Sequence, residues 1–224
     1  MGAAILKQQF ESVLGNLDWQ ARPALELTPT GIPEIDSAAG GIPRGALTEI
    51  VGPASSGRAG LLASIFAQAT ARGEVCALVD AEDGFDPASA AAAGVRLGQL
   101  LWVRCRHSAE QALKAADLLI QGGGFGVVAM DLGDTPPETA RRISLTSWFR
   151  LRRAVEHTPT VLIAVARRPN ARTCASLVLE CRRERAAWTG TDPAHARLLR
   201  GMRVRATFTD RSKACSPVYT AQAI

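Results

Sequence analysis

The segment EIVGPASSGRAGLL, residues 49–62, has the spacing of a loop that binds phosphate groups. A short apolar run leads into Gly52, and Gly57 follows five positions later, as in loops whose backbone N–H groups surround a phosphate. Loops of this kind continue with lysine and then with serine or threonine. This chain has Arg58 and Ala59 at those two positions. The segment therefore raises the question of whether a nucleotide is still bound and hydrolysed.

The two replacements remove the chemistry that the loop normally supplies. The lysine reaches the β- and γ-phosphates as a compact charge, and the hydroxyl coordinates magnesium. Arg58 is longer and planar, and Ala59 has no oxygen. Losing one such charge commonly slows a reaction by a factor of about a hundred to a thousand. Backbone N–H groups and a helix N-terminus can still hold an anion. We therefore predict a degenerate anion-binding loop and expect neither ATP nor magnesium as a cofactor; its residues are Gly52, Ser55, Ser56, Gly57, Arg58 and Ala59.

The composition is that of an ordinary globular protein. With 224 residues, 47% hydrophobic and 21% charged, the chain suits a single medium-sized α/β domain. No segment has the roughly 18–20 uninterrupted apolar residues that cross a bilayer, and the first residues do not form a secretory signal. The five cysteines are scattered and never form a C-x-x-C pair, so we predict no metal site. We expect a cytoplasmic protein without membrane contact.

Charge is distributed unevenly along the chain. Residues 1–100 carry a net charge of −5, whereas residues 101–224 carry +10, almost all of it from arginine. A positive half favours an anionic partner, which is either nucleic acid or an acidic protein surface. A solvated basic surface without any ligand explains the same charge.

Strand and helix patterns alternate from Thr48 onwards. Apolar runs that predict strands are separated by helical segments, one of which begins with a capping box at Ser108 and Gln111. A second capping box at Thr135 and Glu138 predicts a helix that continues towards Glu156. The last two strand patterns alternate as antiparallel edge strands do. The order predicts an α/β fold with a mostly parallel, twisted sheet, helices on both faces and antiparallel C-terminal strands.

The first residues form a separate amphipathic element. A helix over residues 4–14 would place Ile5, Leu6, Phe10 and Leu14 along one apolar face. A polar segment containing Pro23 and Pro29 follows. We therefore divide the chain into an N-terminal helix and linker, residues 1–27, and a core domain, residues 28–224. The helix is either an arm that docks on a partner or an element that packs on its own domain.

An ordered series of blocks resembles the ATPase core of the RecA recombinases. The first is TGIPEIDSAAGGIPRGALTEIVGPASSG at residues 30–57, and CALVDAEDGFDP, SAEQALKAADLLI, GVVAMD, TVLIAVA and ASLVLECRR follow in order. The resemblance covers roughly residues 28–221 and implies a RecA-like P-loop NTPase core. It places Glu82 at the family's catalytic glutamate and Asp131 at its Walker B acid. Each also has a structural interpretation, Glu82 as a solvated strand-end residue and Asp131 as the cap of a turn.

Three departures from the RecA pattern bear on function. The loop has Arg58 and Ala59, the segment after Ala166 lacks the family's glutamine and long DNA-binding loop, and we expect the chain to lack the family's C-terminal domain. Whether phosphate groups are contacted by the arginines after Ala166, or by those on the basic side of the segment 141–157, is left open. That segment also fits a core-facing helix with a solvated basic face. The nucleic-acid candidates are Arg150, Arg152, Arg153, Arg167, Arg168 and Arg172.

The pattern of losses resembles the ImuA-type proteins of bacterial SOS mutagenesis, which are related in fold to the SulA division inhibitors. The resemblance implies a non-catalytic accessory protein of error-prone translesion synthesis. Its implied partners are RecA, an ImuB-type Y-family polymerase homologue and an error-prone replicative-type polymerase complex. Ile5, Leu6, Phe10 and Leu14 would then dock on RecA or on another copy of this chain. An atypical ATPase that uses Arg58, a DNA-binding protein and a SulA-like division inhibitor remain as alternatives.

Overall fold

The computed structural model describes residues 26–190, 197–209 and 214–222. The helix predicted for residues 4–14, with Ile5, Leu6, Phe10 and Leu14, lies outside the described residues. The docking role of that helix and the division of the chain at residue 28 therefore remain predictions.

The described residues form six α-helices, two short 3-10 helices and eleven strands, in the alternating order that the sequence predicts. The helices are α1 (Pro33–Ala39), α2 (Arg58–Ala71), α3 (Pro87–Ala92), α4 (Ala109–Gly122), α5 (Pro137–Ala140) and α6 (Leu145–Val155). The 3-10 helices span Leu97–Gln99 and Arg172–Cys174. The strands are β1 (Leu27–Thr28), β2 (Ile42–Pro43), β3 (Ala46–Val51), β4 (Cys76–Asp80), β5 (Leu100–Arg104), β6 (Val127–Asp131), β7 (Val161–Ala166), β8 (Leu177–Thr189), β9 (Leu198–Thr209), β10 (Ala214–Cys215) and β11 (Val218–Gln222).

Most strands belong to one mixed sheet. Its order is β10-β9-β8-β3-β7-β6-β4-β5, and β11 also pairs with β9. The strands from β8 to β5 in that order run parallel, whereas β9 is antiparallel to β8, β10 and β11. The predicted α/β class, with antiparallel strands at the C-terminal end, is therefore confirmed. Strands β1 and β2 form a separate antiparallel pair.

The central strands are buried on both faces, which explains their continuous apolar sequences. All six residues of β7 and all six of β3 are buried. Helix α2 covers one face with Leu61, Ile65 and Phe66. Helices α4 and α6 cover the other face, where Trp148 and Leu151 are buried. Among the described residues, no helix is both long and apolar enough to cross a membrane.

The prediction of one helix from Thr135 towards Glu156 is wrong, because two helices occupy that segment. Helix α5 ends at Ala140, and α6 begins only at Leu145. Ser144 starts the second helix, since its hydroxyl accepts the N–H of Ser147 at 3.1 Å. Thr135 does not cap α5, because its hydroxyl donates to a distant carboxylate instead. The cap predicted at Ser108 is confirmed, with the N–H of Gln111 at 3.2 Å.

Truncation of the central strand should destabilise the whole domain. Leu162 of β7 is completely buried, so Leu162→Ala leaves a cavity and should lower the free energy of unfolding by about 2–5 kcal/mol. Leu118 of α4 is 70% exposed, and Leu118→Ala should change it by less than about 0.5 kcal/mol. Urea denaturation of the two variants measures both values. Equal effects would contradict the assignment of β7 to the core.

Candidate functional site

Residues 52–57, which we call the phosphate-loop segment, lie between β3 and α2 at the carboxyl end of the parallel strands. The N–H of Gly52 donates to the carbonyl of Ala166 at 3.2 Å, which ties the start of the loop to the end of β7. Gly57 has a φ of 98°, and a Cβ there would lie 2.8 Å from a methyl group of Val204. Glycine is therefore required at the end of the loop, where the backbone turns into the helix against β9.

The N-terminus of α2 retains the features of an anion site. Gly57 is its N-cap and, having no side chain, does not cap the first-turn N–H groups. The hydroxyl of Ser56 is buried and has no hydrogen-bond partner among the described residues. Free N–H groups at the start of a helix, with the positive end of the helix dipole, attract an anion. Ser55 and Ala59 are exposed at the same place.

Arg58 points into the site rather than towards solvent. The residue is 8% exposed, and its Nη1 and Nη2 atoms donate to the carbonyl of Gly133 at 3.2 and 3.3 Å. Burial lowers the pKa of Arg58, and the nearby Asp131 and Asp134 carboxylates oppose that effect. A Cβ at Gly133 would lie 3.0 Å from Nη1 of Arg58, so the absence of a side chain lets the guanidinium approach.

Asp131 lies on the other side of Gly133, at the end of β6. Its Oδ1 accepts the N–H of Gly133 at 2.7 Å, which is the turn-capping contact considered from the sequence. Burial raises the pKa of Asp131 to about 6, and the charge of Asp80 adds to that rise, whereas the Gly133 hydrogen bond and Arg58 lower it. The carboxylate is therefore mostly ionised near neutral pH and faces a guanidinium that is already bonded to Gly133.

Glu82 is held by two side chains that the sequence analysis did not connect with it. Its Oε1 accepts the hydroxyl hydrogen of Thr135 at 2.8 Å, and its Oε2 lies 2.8 Å from Nδ1 of His107. Only 18% of the Glu82 side chain is exposed. The interpretation as a solvated strand-end residue is therefore wrong. The signal for His107 is its position shortly after β5, which is paired in parallel with β4, because the loops after two such strands leave the same edge.

The six nucleic-acid candidates form two groups, and several carry acidic partners. In α6, Arg150 lies 3.4 Å from Asp117, Arg152 lies 3.1 Å from Glu156, and Arg153 is exposed. In the loop after β7, Arg167 donates to the carbonyl of Gly133 at 3.2 Å, whereas Arg168 and Arg172 are exposed. Arg152 also donates to the carbonyl of Thr173 at 3.4 Å, which links the two groups. Their role in binding nucleic acid stays a prediction.

The loop, Arg58, Asp131 and Asp134 border a cleft of about 380 Å³. A parallel sheet with a glycine loop between strand and helix, and acids at neighbouring strand ends, defines an α/β protein with a P-loop type of fold. The RecA N-terminal domain family matches residues 4–135, which is more than half of the chain, and the chain therefore belongs to the RecA family.

Three relatives indicate how far the similarity extends. Protein RecA of Chloroflexus aurantiacus is 35% identical over 161 residues, which are 65% of this chain and 46% of that protein. Protein RecA of Methylococcus capsulatus is 42% identical over 137 residues, which are 58% and 39% of the two chains. Protein RecA of Pseudomonas fluorescens is 40% identical over 118 residues, which are 53% and 33%. The chain thus matches less than half the length of these relatives.

The raised pKa of Asp131 should make stability depend on pH in a defined direction. A carboxyl whose pKa rises from 3.8 to about 6 on folding stabilises the fold below the lower value and loses that contribution as pH rises through the upper value. The free energy of unfolding of the native chain, relative to Asp131→Asn, should therefore fall between about pH 4 and 6. Urea denaturation of both proteins across that range measures the difference. A constant or rising difference would contradict the burial of this carboxyl.

Proposed function

We propose that this chain is a RecA-fold accessory protein that does not hydrolyse nucleotides and acts by binding other proteins. In this proposal the chain has the role of an ImuA-type protein in SOS-induced, error-prone translesion DNA synthesis and DNA repair. The partners in this proposal are RecA, an ImuB-type polymerase homologue and the error-prone polymerase complex. The observation that carries the proposal is the bond from the Arg58 guanidinium to the carbonyl of Gly133, inside the former nucleotide cleft.

The residues of this cleft do not fit a magnesium–triphosphate group. A P-loop needs a compact cation directed at the phosphates and a hydroxyl directed at the metal. The Arg58 guanidinium is instead directed at Gly133 and lies beside Asp131, and Ala59 has no metal-binding atom. Binding of a triphosphate in the usual position would require Arg58 to give up two hydrogen bonds in a buried site, which is unfavourable unless other donors replace them.

The contacts of Glu82 support the same conclusion. A general base must have an oxygen available for the attacking water within hydrogen-bond reach. Each oxygen of Glu82 forms one hydrogen bond, with Thr135 or with His107, and these two contacts compete with a water for the carboxylate. Glu82 therefore acts as a tie between the loops that follow β4, β5 and β6, and we assign it a structural role in place of the family's catalytic one.

Restoring the two lost groups should restore nucleotide binding. In Arg58→Lys combined with Ala59→Thr, the lysine cannot form the forked bond to Gly133, and the threonine supplies a metal ligand. Calorimetric titration with ATP and magnesium should give affinity at least about tenfold higher than that of the native chain. Ala59→Thr alone is the matched control, because Arg58 remains in place, and it should bind no better than the native chain.

The competing function is an active ATPase, and the same titration separates the two. Tight binding of ATP by the native chain, with phosphate release that disappears in Glu82→Gln, would overturn the non-catalytic proposal. Unchanged affinity in the double variant would overturn the explanation of the defect by Arg58 and Ala59.

The proposed partners are tested directly by capture experiments. Purified chain should retain RecA and an ImuB-type polymerase homologue in a pull-down, and removal of residues 1–20 should abolish retention of at least RecA. Circular dichroism of the shortened chain provides the folding control. If the full chain captures neither protein, the accessory role is overturned. If the shortened chain still captures RecA, the docking role of the N-terminal helix is overturned.

A further inference from the structure

A second cleft lies next to the cleft that contains Arg58. The two clefts share Ala54, Ser55 and Ser56 of the phosphate-loop segment. Its volume is about 680 Å³, which lies within the range of about 300–1,000 Å³ that ligand-binding clefts have. The loop segment 51–56 borders it, together with the loop after β7 and part of β8. We call it the arginine cleft, because four of its lining residues are Arg167, Arg168, Arg182 and Arg183.

The charges of the arginine cleft are only partly balanced. Glu180 is the one acidic residue among those that line it, and its carboxylate pairs with Arg182 at 2.8 Å. Arg167 is directed at the carbonyl of Gly133. Arg168 and Arg183 are exposed, and within residues 26–190, 197–209 and 214–222 their side chains have no hydrogen bond or ion pair. Two forked cations are therefore available for an external anion.

The acidic residue that follows Arg183 in the sequence is paired with β9. The pairing of β8 with β9 shifts between Arg183 and Arg185, which leaves Glu184 as the extra residue. The Glu184 carboxylate lies 3.3 Å from Arg203 and also contacts Arg205, both in β9. Arg183 therefore has no acidic partner among the described residues, although Glu184 follows it directly in the sequence.

The loop that carries Arg167 and Arg168 is held in place by a buried carboxylate of β3. Glu49 of β3 is completely buried, and its Oε1 accepts the N–H groups of Asn170 and Ala171 at 2.7 and 3.0 Å. Burial raises the pKa of Glu49, and the two N–H groups oppose that rise. Because both bonds end on backbone atoms, the loop has a defined shape before any ligand arrives, which lowers the entropy cost of binding.

The lining of the cleft favours an acidic peptide as its ligand. None of its lining residues is aromatic, so it lacks the aromatic side chains on which the bases of a single strand usually stack. Its apolar part comes from Val51, Ala54 and three prolines, Pro53, Pro137 and Pro169. Guanidinium forks bind carboxylates through paired hydrogen bonds, and apolar walls accept the side chains between those carboxylates.

We propose that the arginine cleft binds an acidic peptide segment of a partner protein, with Arg168 and Arg183 as its carboxylate contacts. Because the peptide belongs to a partner, this assignment rests on the proposed accessory function. Binding of an isolated peptide can nevertheless be measured separately from capture of whole partner proteins and from nucleotide binding, so the failure of one is distinguishable from the failure of the others.

The probe is a short fluorescein-labelled peptide in which glutamate and leucine alternate, measured by fluorescence polarisation without nucleotide. Arg168→Glu combined with Arg183→Glu should weaken its binding at least about tenfold. The matched control is Arg96→Glu combined with Arg200→Glu, which makes the same change in net charge at exposed arginines outside the cleft lining. Its affinity should stay within about twofold of the native value.

Two further measurements complete the test. Arg168→Lys combined with Arg183→Lys keeps both charges and removes the forks, so intermediate affinity is expected, and it also serves as a variant that keeps its fold. A labelled oligothymidine should bind more weakly than the peptide. Equal peptide affinity in the cleft and control variants, or stronger oligothymidine binding that is lost in the cleft variant, would overturn the proposal.

Discussion

Burial of the central strands on both faces is the constraint on which the rest of the molecule depends. Strands β3, β7, β6 and β4 lie between α2 on one side and α4 and α6 on the other, so their side chains are apolar along nearly their whole length. Apart from Thr48 and Glu49 inside β3, the polar side chains of these strands lie where the strands end. Because the strands are parallel, their carboxyl ends lie along one edge, and the phosphate-loop segment, Asp131 and the loop after β7 are brought together there.

Two clefts of different character lie at that edge and share Ala54, Ser55 and Ser56. On one side, the guanidinium and the carbonyl of Gly133 occupy the cleft that borders Asp131, and the acidic groups there are already paired or hydrogen-bonded. On the other side, the arginine cleft holds Arg168 and Arg183 without partners among the described residues. Under the proposed function, this edge binds a carboxylate-bearing chain in the arginine cleft rather than a triphosphate beside Arg58.

Several features could be predicted from the sequence because they depend on short-range patterns. The apolar runs of β3, β6 and β7 and the glycine spacing of the loop are local signals, and they predict the α/β class and the position of the loop between β3 and α2. The cap predicted at Thr135 is wrong, since Thr135 has the right residue type for a cap but donates its hydroxyl to Glu82. A side chain with two possible partners, one local and one distant, cannot be assigned from spacing alone.

The sequence by itself determined that this chain has a RecA-type loop without the lysine and the hydroxyl that its chemistry needs. The tertiary structure decided where the replacing arginine goes. Arg58 meets Gly133 across 75 positions, and Thr135 meets Glu82 across 53. It also decided that Arg168 and Arg183 share one cleft. Those contacts follow from the order of the strands in the sheet, which brings distant loops to one edge, whereas residue types and local spacing carry no record of that order.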